Sequence, residues 1–118
     1  MSTGAHLAGA HGSQQQGDGE RLEVAAAVLA LLADRTRLAL LQRLGAGEAD
    51  VTTLTEACGA ARPSVSQHLA KLRLAGLVAT RKDGRRVVYS LRHGHLRRLV
   101  DEALSVADHQ IGALPPHD

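Results

Sequence analysis

Residues 62–78 have the sequence RPSVSQHLAKLRLAGLV, in which two kinds of side chain recur at helical spacing. Apolar residues recur at Val65, Leu69 and Leu72, so one face of a helix is predicted to be buried. Another face has no acidic residue and carries hydroxyl, amide, imidazole and ammonium groups, on Ser64, Gln67, His68 and Lys71. This polar face fits two interpretations equally well: an ordinary surface helix, or a helix that lies in a DNA groove and contacts phosphates and base edges. The flanking sequence decides between them.

A short helix is predicted just before this stretch. Thr52 or Thr53 can cap a helix over residues 54–58. Gly59 then ends it, and the next helix begins three residues later. Two helices joined by a tight, glycine-containing turn form a helix-turn-helix, whose second helix lies in the major groove of DNA. Cys58 is most simply a small buried residue of this unit. Base readout is predicted for Ser64, Ser66, Gln67 and His68, and Lys71 completes the DNA-contacting set.

Residues 77–91 predict a β-hairpin. The Asp83-Gly84 pair is a strong tight-turn signal, and Val87-Val88-Tyr89 has high strand propensity. One acid and four cations lie around the tip, the cations being Arg81, Lys82, Arg85 and Arg86. A hairpin that is charged only for solubility would have a more even balance of charge. A basic hairpin directly after a DNA-contacting helix therefore predicts a wing that lies against the DNA backbone.

Three further helices are predicted around this motif. Residues 20–33 are apolar nearly all round, which predicts a buried helix that lies partly at a subunit interface. Asp34 can cap a helix over residues 35–44, and residues 95–110 form a last helix with an apolar stripe. The core would contain Leu, Val and Ala, since the chain has no Phe or Trp. Small cores of this kind are marginally stable, which favours a homodimer built on the first and last helices.

The predicted architecture is mainly α with a small β-hairpin, a winged helix-turn-helix. The domain spans residues 20–111. It lies between a disordered arm, residues 1–19, and an irregular tail, residues 112–118. The arm is rich in Gly, Ser, Gln and Ala and has no apolar periodicity.

Composition narrows the function. The net charge is only +2, but the basic residues are concentrated in the second half of the chain, as a local face that suits a polyanion. The scarcity of aromatic residues argues against binding of single strands or RNA by base stacking, which leaves double-stranded DNA. No apolar run is long enough to span a membrane, and a lone cysteine fits a reducing cytoplasm. An enzyme is not expected, because the chain has no HExxH motif and no nucleophile–base pair.

Four segments resemble the ArsR/SmtB family, dimeric winged-helix repressors that sense metals in bacteria. They are Ala33–Leu38, Ser64–Val78, Lys82–Arg85 and Val88–Leu91. The resemblance implies a homodimer that binds double-stranded operator DNA until a metal ion lowers its affinity for the DNA. The gene that such a repressor usually controls encodes a metal exporter. The alternative is a winged-helix DNA-binding regulator that responds to a non-metal signal.

The family places its metal sites in different elements. One site uses a cysteine pair just ahead of the helix-turn-helix, where this chain has Asp50-Val51-Thr52 and no thiol. Soft metals need thiolates, so the resemblance does not imply sensing of arsenic, lead or cadmium by that site.

A second family site lies on the last helix. Its positions match His93, His95, Val106 and His109, and Val106 cannot be a ligand. Instead, the resemblance is to the nickel- and cobalt-sensing branch, which has a histidine at the helix start, an acid–histidine pair near its end and histidines in the tail. The implied ligands are His93, His95, Asp108, His109 and His117.

Helix geometry predicts that this site bridges two subunits. His95 and His109 are fourteen positions apart, so they share a face but are separated by about 21 Å along the axis. Metal–nitrogen bonds are about 2 Å long, so one helix cannot offer both residues to one ion. A nitrogen and oxygen donor set suits Ni²⁺, Co²⁺ or Zn²⁺, and extra tail ligands favour six-coordinate nickel or cobalt over zinc. His6 and His11 in the arm are weaker, accessory candidates, and two solvated histidines are the favoured interpretation there.

Overall fold

The computed structural model describes the backbone of residues 2–113 and the side chains of residues 17–113. The chain divides into two units, Met1–Ala33 and Asp34–Asp118. The first unit is a single helix, α1 (Ser2–Leu32). This helix begins before residue 20, so it includes Gly17, Asp18 and Gly19, for which the sequence predicts no regular structure. Helical backbone hydrogen bonds need no apolar periodicity, and an ion pair between Asp18 and Arg21, 3.3 Å long, supports the helix at this point.

The second unit contains four helices and three short strands. In chain order they are α2 (Arg35–Gly45), β1 (Ala49–Asp50), α3 (Val51–Cys58), α4 (Arg62–Leu74), β2 (Val78–Asp83), β3 (Arg86–Leu91) and α5 (Gly94–Ala113). The prediction of a mainly α fold with a β-hairpin is confirmed. The sequence missed β1, which pairs antiparallel with β3 and completes a sheet of order β1-β3-β2. A two-residue strand is too short to show periodicity.

Two aspartates fix the helices that lead into the helix-turn-helix. Asp34 caps α2 as predicted, and its side chain accepts a hydrogen bond of 2.9 Å from the backbone N–H of Arg37. The cap of α3 differs from the prediction of Thr52 or Thr53. Asp50 is the cap instead, and it accepts from the backbone N–H of Thr53 at 2.9 Å. Carboxylates stabilise helix N-termini through both the hydrogen bond and the helix dipole.

The turn between α3 and α4 is tight. Gly59 has φ of +66°, a left-handed conformation that suits glycine, and α4 begins three residues later at Arg62. The predicted apolar face of α4 is confirmed, since Val65, Leu69 and Leu72 are fully buried. The core of this unit consists of Leu, Val and Ala side chains from α2, α3, α4, α5 and the sheet. It therefore holds α4 by one face and leaves the other at the surface.

Helix α5 is only partly buried within the chain. Leu96 and Val100, in its first half, are buried, whereas Val106 and Ile111 are 57% and 69% exposed. Leu22, Val24 and Leu29 of α1 are also at the surface, with exposed fractions of 71%, 57% and 53%. The burial that the composition of α1 predicts is therefore not found at these three residues. Within residues 2–113, no helix combines the length and the apolar character needed to cross a membrane.

Candidate nucleic-acid interface and metal-binding residues

The outer face of α4 presents most of the predicted DNA-contacting residues. Ser66, Gln67 and Lys71 are exposed, and Ser64 is half-buried at the start of the helix. No acidic residue occurs in α4, so its surface does not repel a phosphate backbone. The hydroxyl and amide groups of this face can donate to and accept from base edges.

His68 is placed differently from its neighbours. Its ring is half-buried and faces the first turn of α2, where its Nδ1 lies 3.0 Å from a guanidinium nitrogen of Arg37. Its Nε2 lies 3.8 Å from Oδ2 of Asp34. The hydrogen bond from the Arg37 backbone, with a smaller effect of the Arg37 charge, holds the pKa of Asp34 below its usual value. The structure thus joins His68 to α2, although sequence periodicity groups it with the outer face of α4.

The four cations of the wing are not equivalent. Arg81 forms two hydrogen bonds to the carboxylate of Glu48, one of them 3.0 Å long, and Arg86 lies 3.6 Å from Asp50 and 3.8 Å from Asp83. Bonding to Arg81 lowers the pKa of Glu48, and the Thr53 backbone N–H, with help from Arg86, lowers the pKa of Asp50. These two carboxylates therefore stay ionised and neutralise part of the wing.

The remaining two wing cations, Lys82 and Arg85, have no acidic partner among residues 17–113 and are exposed. The sequence did not point to Glu48 and Asp50 as partners, because they lie more than thirty residues from the wing and reach it through the pairing of β1 with β3. No local pattern signals such a pairing.

A further cation, Arg62, adjoins the wing. Its guanidinium donates to the hydroxyl of Thr52 at 3.3 Å, and together with Arg85 and Arg86 it lines a shallow depression between α3, α4 and the hairpin. The sequence showed Arg62 only as part of the basic second half of the chain. Its place at the start of α4, beside the wing, adds it to the cationic surface.

The candidate metal ligands occupy the two ends of α5. His93 and His95 lie at its start with ring centroids 5.5 Å apart, and Nδ1 of His95 lies 2.6 Å from a guanidinium nitrogen of Arg98. Asp108 and His109 line a shallow surface depression near its end. All four are exposed. The predicted ligands His117, His6 and His11 lie outside the residues whose side chains are described.

The donor set fits a borderline metal ion but is incomplete in one chain. Imidazole nitrogens and a carboxylate are ligands of Ni²⁺, Co²⁺ and Zn²⁺. Among the side chains of residues 17–113, no group of three His, Cys, Asp or Glu residues comes close enough to hold a metal ion. Completing a site therefore requires further ligands, from the tail or from a second chain.

Comparisons with known proteins bear on the fold and on the helix-turn-helix. A family model described as a helix-turn-helix domain matches residues 32–81. The chain is 47% identical over 90 residues to the HTH-type transcriptional regulator KmtR of Mycobacterium tuberculosis, covering 76% of this chain and 69% of that protein. It is 39% identical over 92 residues to NmtR of the same species, covering 78% of this chain and 77% of that protein.

A solved structure has the same fold. It is the homodimeric winged helix-turn-helix DNA-binding domain of Mb0332 from Mycobacterium bovis, a possible ArsR-family transcriptional regulator, with a TM-score of 0.71 and 30% identity. The match covers 86% of this chain and 94% of that one. The helix-turn-helix, the basic wing and the identity to these regulators lead to one conclusion: the chain belongs to the ArsR/SmtB family of winged-helix transcriptional regulators.

Proposed function

We propose that the protein is a metal-responsive transcriptional repressor, which binds operator DNA as a homodimer and releases it when a transition metal binds. Ni²⁺ or Co²⁺ is the proposed effector, with Zn²⁺ as the alternative, and a gene for a metal exporter is the proposed target. Its place of action would be the cytoplasm, where operator DNA is found. The observation that carries the proposal is the presence of exposed candidate ligands at both ends of α5.

A second copy of the chain would complete the metal site. His95 and His109 are separated by about 21 Å along α5, which is too far for one ion. Two α5 helices that run antiparallel about a two-fold axis bring the start of one beside the end of the other. Such an interface would cover the apolar side chains of Val106 and Ile111, which are exposed in the single chain. The Mb0332 domain, which is homodimeric, supports the same arrangement.

The proposed ligands are His93, His95, Asp108 and His109, with His117 from the tail. An imidazole and carboxylate set without thiolate favours nickel, cobalt or zinc over softer metals. A tail ligand would raise the coordination number towards six, which nickel and cobalt accept more readily than zinc. His6 and His11 stay accessory candidates in this proposal. Cys58 is not part of it, since its thiol contacts the carbonyl of Thr55 within α3.

DNA would be bound through two surfaces with different tasks. Ser64, Ser66 and Gln67 are proposed to contact base edges, and Lys71 the backbone. Lys82, Arg85 and Arg62 are proposed to contact phosphates. Arg81 and Arg86 would hold the wing against β1 and the adjoining loop, through Glu48 and Asp50, and would add less to phosphate binding.

Metal binding would act on DNA by changing the distance between two recognition helices. A dimeric helix-turn-helix protein needs its half-sites one helical turn of DNA apart. An ion that joins the α5 helices of both subunits can hold the dimer away from this spacing. The coupling expected of such systems is roughly 1–3 kcal/mol, a loss of about 5- to 150-fold in operator affinity.

The test is a titration of operator binding with Ni²⁺, Co²⁺ and Zn²⁺, on a duplex selected from a random library. We expect one of the three metals to weaken binding in the wild type and to have less effect on Asp108→Asn. Asp101→Asn is the matched control, because Asp101 is an exposed aspartate on the same helix, paired with Arg97 at 3.9 Å. Operator binding that withstands every metal would instead favour a regulator of a non-metal signal.

A further inference from the structure

His68 is the residue whose position differs most from its sequence pattern. Its side chain is 19% exposed, whereas its neighbour Gln67 is exposed and can reach a groove. The ring lies between two charged side chains of the first turn of α2. The guanidinium of Arg37 is 3.0 Å from one ring nitrogen, and the carboxylate of Asp34 is 3.8 Å from the other.

The chemistry of these partners fixes the state of the ring. A guanidinium can only donate hydrogen bonds, so Nδ1 of His68 must accept. In the neutral imidazole the hydrogen is then on Nε2, which faces Asp34. Asp34 is itself held, because its Oδ2 accepts from the backbone N–H of Arg37 at 2.9 Å. Both ring nitrogens are therefore directed at α2, and a base edge would have to displace Arg37 or Asp34 to reach them.

This interaction has a directionality that the apolar contacts of α4 lack. Val65, Leu69 and Leu72 hold α4 by apolar burial, which is non-directional and tolerates small rotations of a helix. A hydrogen bond with a defined geometry between α4 and α2 restricts such rotation. A rotation of α4 would shift all of its exposed side chains together. A single hydrogen bond that restricts this rotation can therefore fix the position of the whole outer face of α4.

We propose that His68 is a positioning residue, which sets operator specificity by fixing α4 against the Asp34–Arg37 turn of α2 and does not itself read a base. The proposal rests on the proposed DNA-binding function. It replaces the prediction from sequence that His68 contacts base edges. Loss of the ring should therefore reduce the preference for the correct base pair at every position that α4 contacts.

The experiment measures binding to the selected operator and to a series of duplexes that each change one base pair. His68→Ala should lower affinity for the operator about tenfold, the loss expected for one charge-assisted hydrogen bond. It should also reduce the difference in affinity between base pairs at several positions of the operator. Gln67→Ala is the matched control on the same helix and should flatten the preference at one or two positions only. A His68→Ala loss confined to a single base pair, or no loss at all, would overturn the proposal.

A double-mutant cycle with Arg37→Met tests the hydrogen bond itself. If His68 acts through Arg37, the effect of His68→Ala should largely disappear in the Arg37→Met background, whereas Gln67→Ala should keep its full effect there. His68→Asn, which leaves an acceptor oxygen near the position of Nδ1, should recover much of the specificity. Additive effects of His68→Ala and Arg37→Met, with no recovery by His68→Asn, would contradict the proposal.

Nitrogen NMR of the free protein adds a readout that needs neither DNA nor a variant at position 68. The wild type should show a His68 ring protonated on Nε2 and not on Nδ1, and Arg37→Met should weaken this preference, which Asp34 alone would then support. The opposite tautomer would overturn the proposal even if the alanine variant fails to fold. If the wild type selects no duplex at all, the proposed function fails and the role of His68 with it. If it selects one without showing these effects, only the role of His68 fails.

Discussion

Helices α4 and α5 have the same kind of sequence pattern but differ in what one chain provides for them. In α4 the apolar residues Val65, Leu69 and Leu72 are fully buried, and His68 has partners on α2. In α5 only the first half is buried, and both the apolar residue Val106 and the ligand candidates are exposed. Helix α4 is therefore complete within a single chain, whereas α5 leaves exposed the side chains that the proposed homodimer would cover.

The largest expected effect is on stability, and it distinguishes the buried apolar residues of α4 from the exposed apolar residues of α5. Leu69→Ala should destabilise the fold by roughly 2–5 kcal/mol at any protein concentration, because it leaves a cavity in the core. Val106→Ala should have little effect on the folding of the isolated chain and should raise the dissociation constant of the dimer. Urea unfolding at several protein concentrations, together with sedimentation, distinguishes the two. An effect of Val106→Ala that is independent of concentration would place the end of α5 in a core of its own chain.

The second effect concerns the ligands of α5, in mixed dimers prepared with two affinity tags. If one chain carries His95→Ala and the other His109→Ala, one site loses both ligands and the other stays intact. If both substitutions are in the same chain, each site loses one ligand. The bridging model therefore expects one tight metal site in the first mixture and none in the second, measured by competition with a metal chelator.

If the second mixture has one tight site and the first has none, each chain binds metal by itself. Equal affinities would mean that at least one of the two histidines is not a ligand. Metal and DNA must also oppose each other equally, so that a metal that weakens operator binding is itself bound more weakly by the DNA complex, by the same factor. Tight metal binding that leaves operator affinity unchanged would make the site structural.

The third effect belongs to the exposed face of α4. Gln67→Ala should cost roughly 1–3 kcal/mol on the operator and nothing on random DNA, since an amide that reads a base edge contributes only when the correct base is present. Electrophoretic mobility shifts on both duplexes at one salt concentration measure the difference. An equal loss on random DNA would assign Gln67 to the backbone.

The sequence predicted interactions within one element well and interactions between distant elements poorly. The buried face of α4 follows from its 3.6-residue period, and Asp34 and the Asp83-Gly84 turn are local signals. The hydrogen bond of His68 with Arg37 joins residues 31 positions apart, and Arg81 meets Glu48 over 33 positions. No periodicity encodes such pairs, because they depend on how the elements pack. For the same reason the sequence revealed how many cations the wing has but not which of them are neutralised.

The smallest expected effect tests which cations of the wing are neutralised by acidic residues and which can bind phosphates. Arg85 has no acidic partner among residues 17–113, so Arg85→Ala should weaken all duplex binding and lower the salt slope by about one unit, because one phosphate is no longer neutralised. Arg81→Ala removes the same charge, but it also frees Glu48, whose carboxylate the guanidinium neutralises. Its salt slope should change less, while the free protein should lose order at the base of the wing. Binding measured at several salt concentrations, with hydrogen exchange of β2 and β3, separates the two variants. Equal changes in salt slope would mean that Arg81 leaves Glu48 and binds a phosphate when DNA binds.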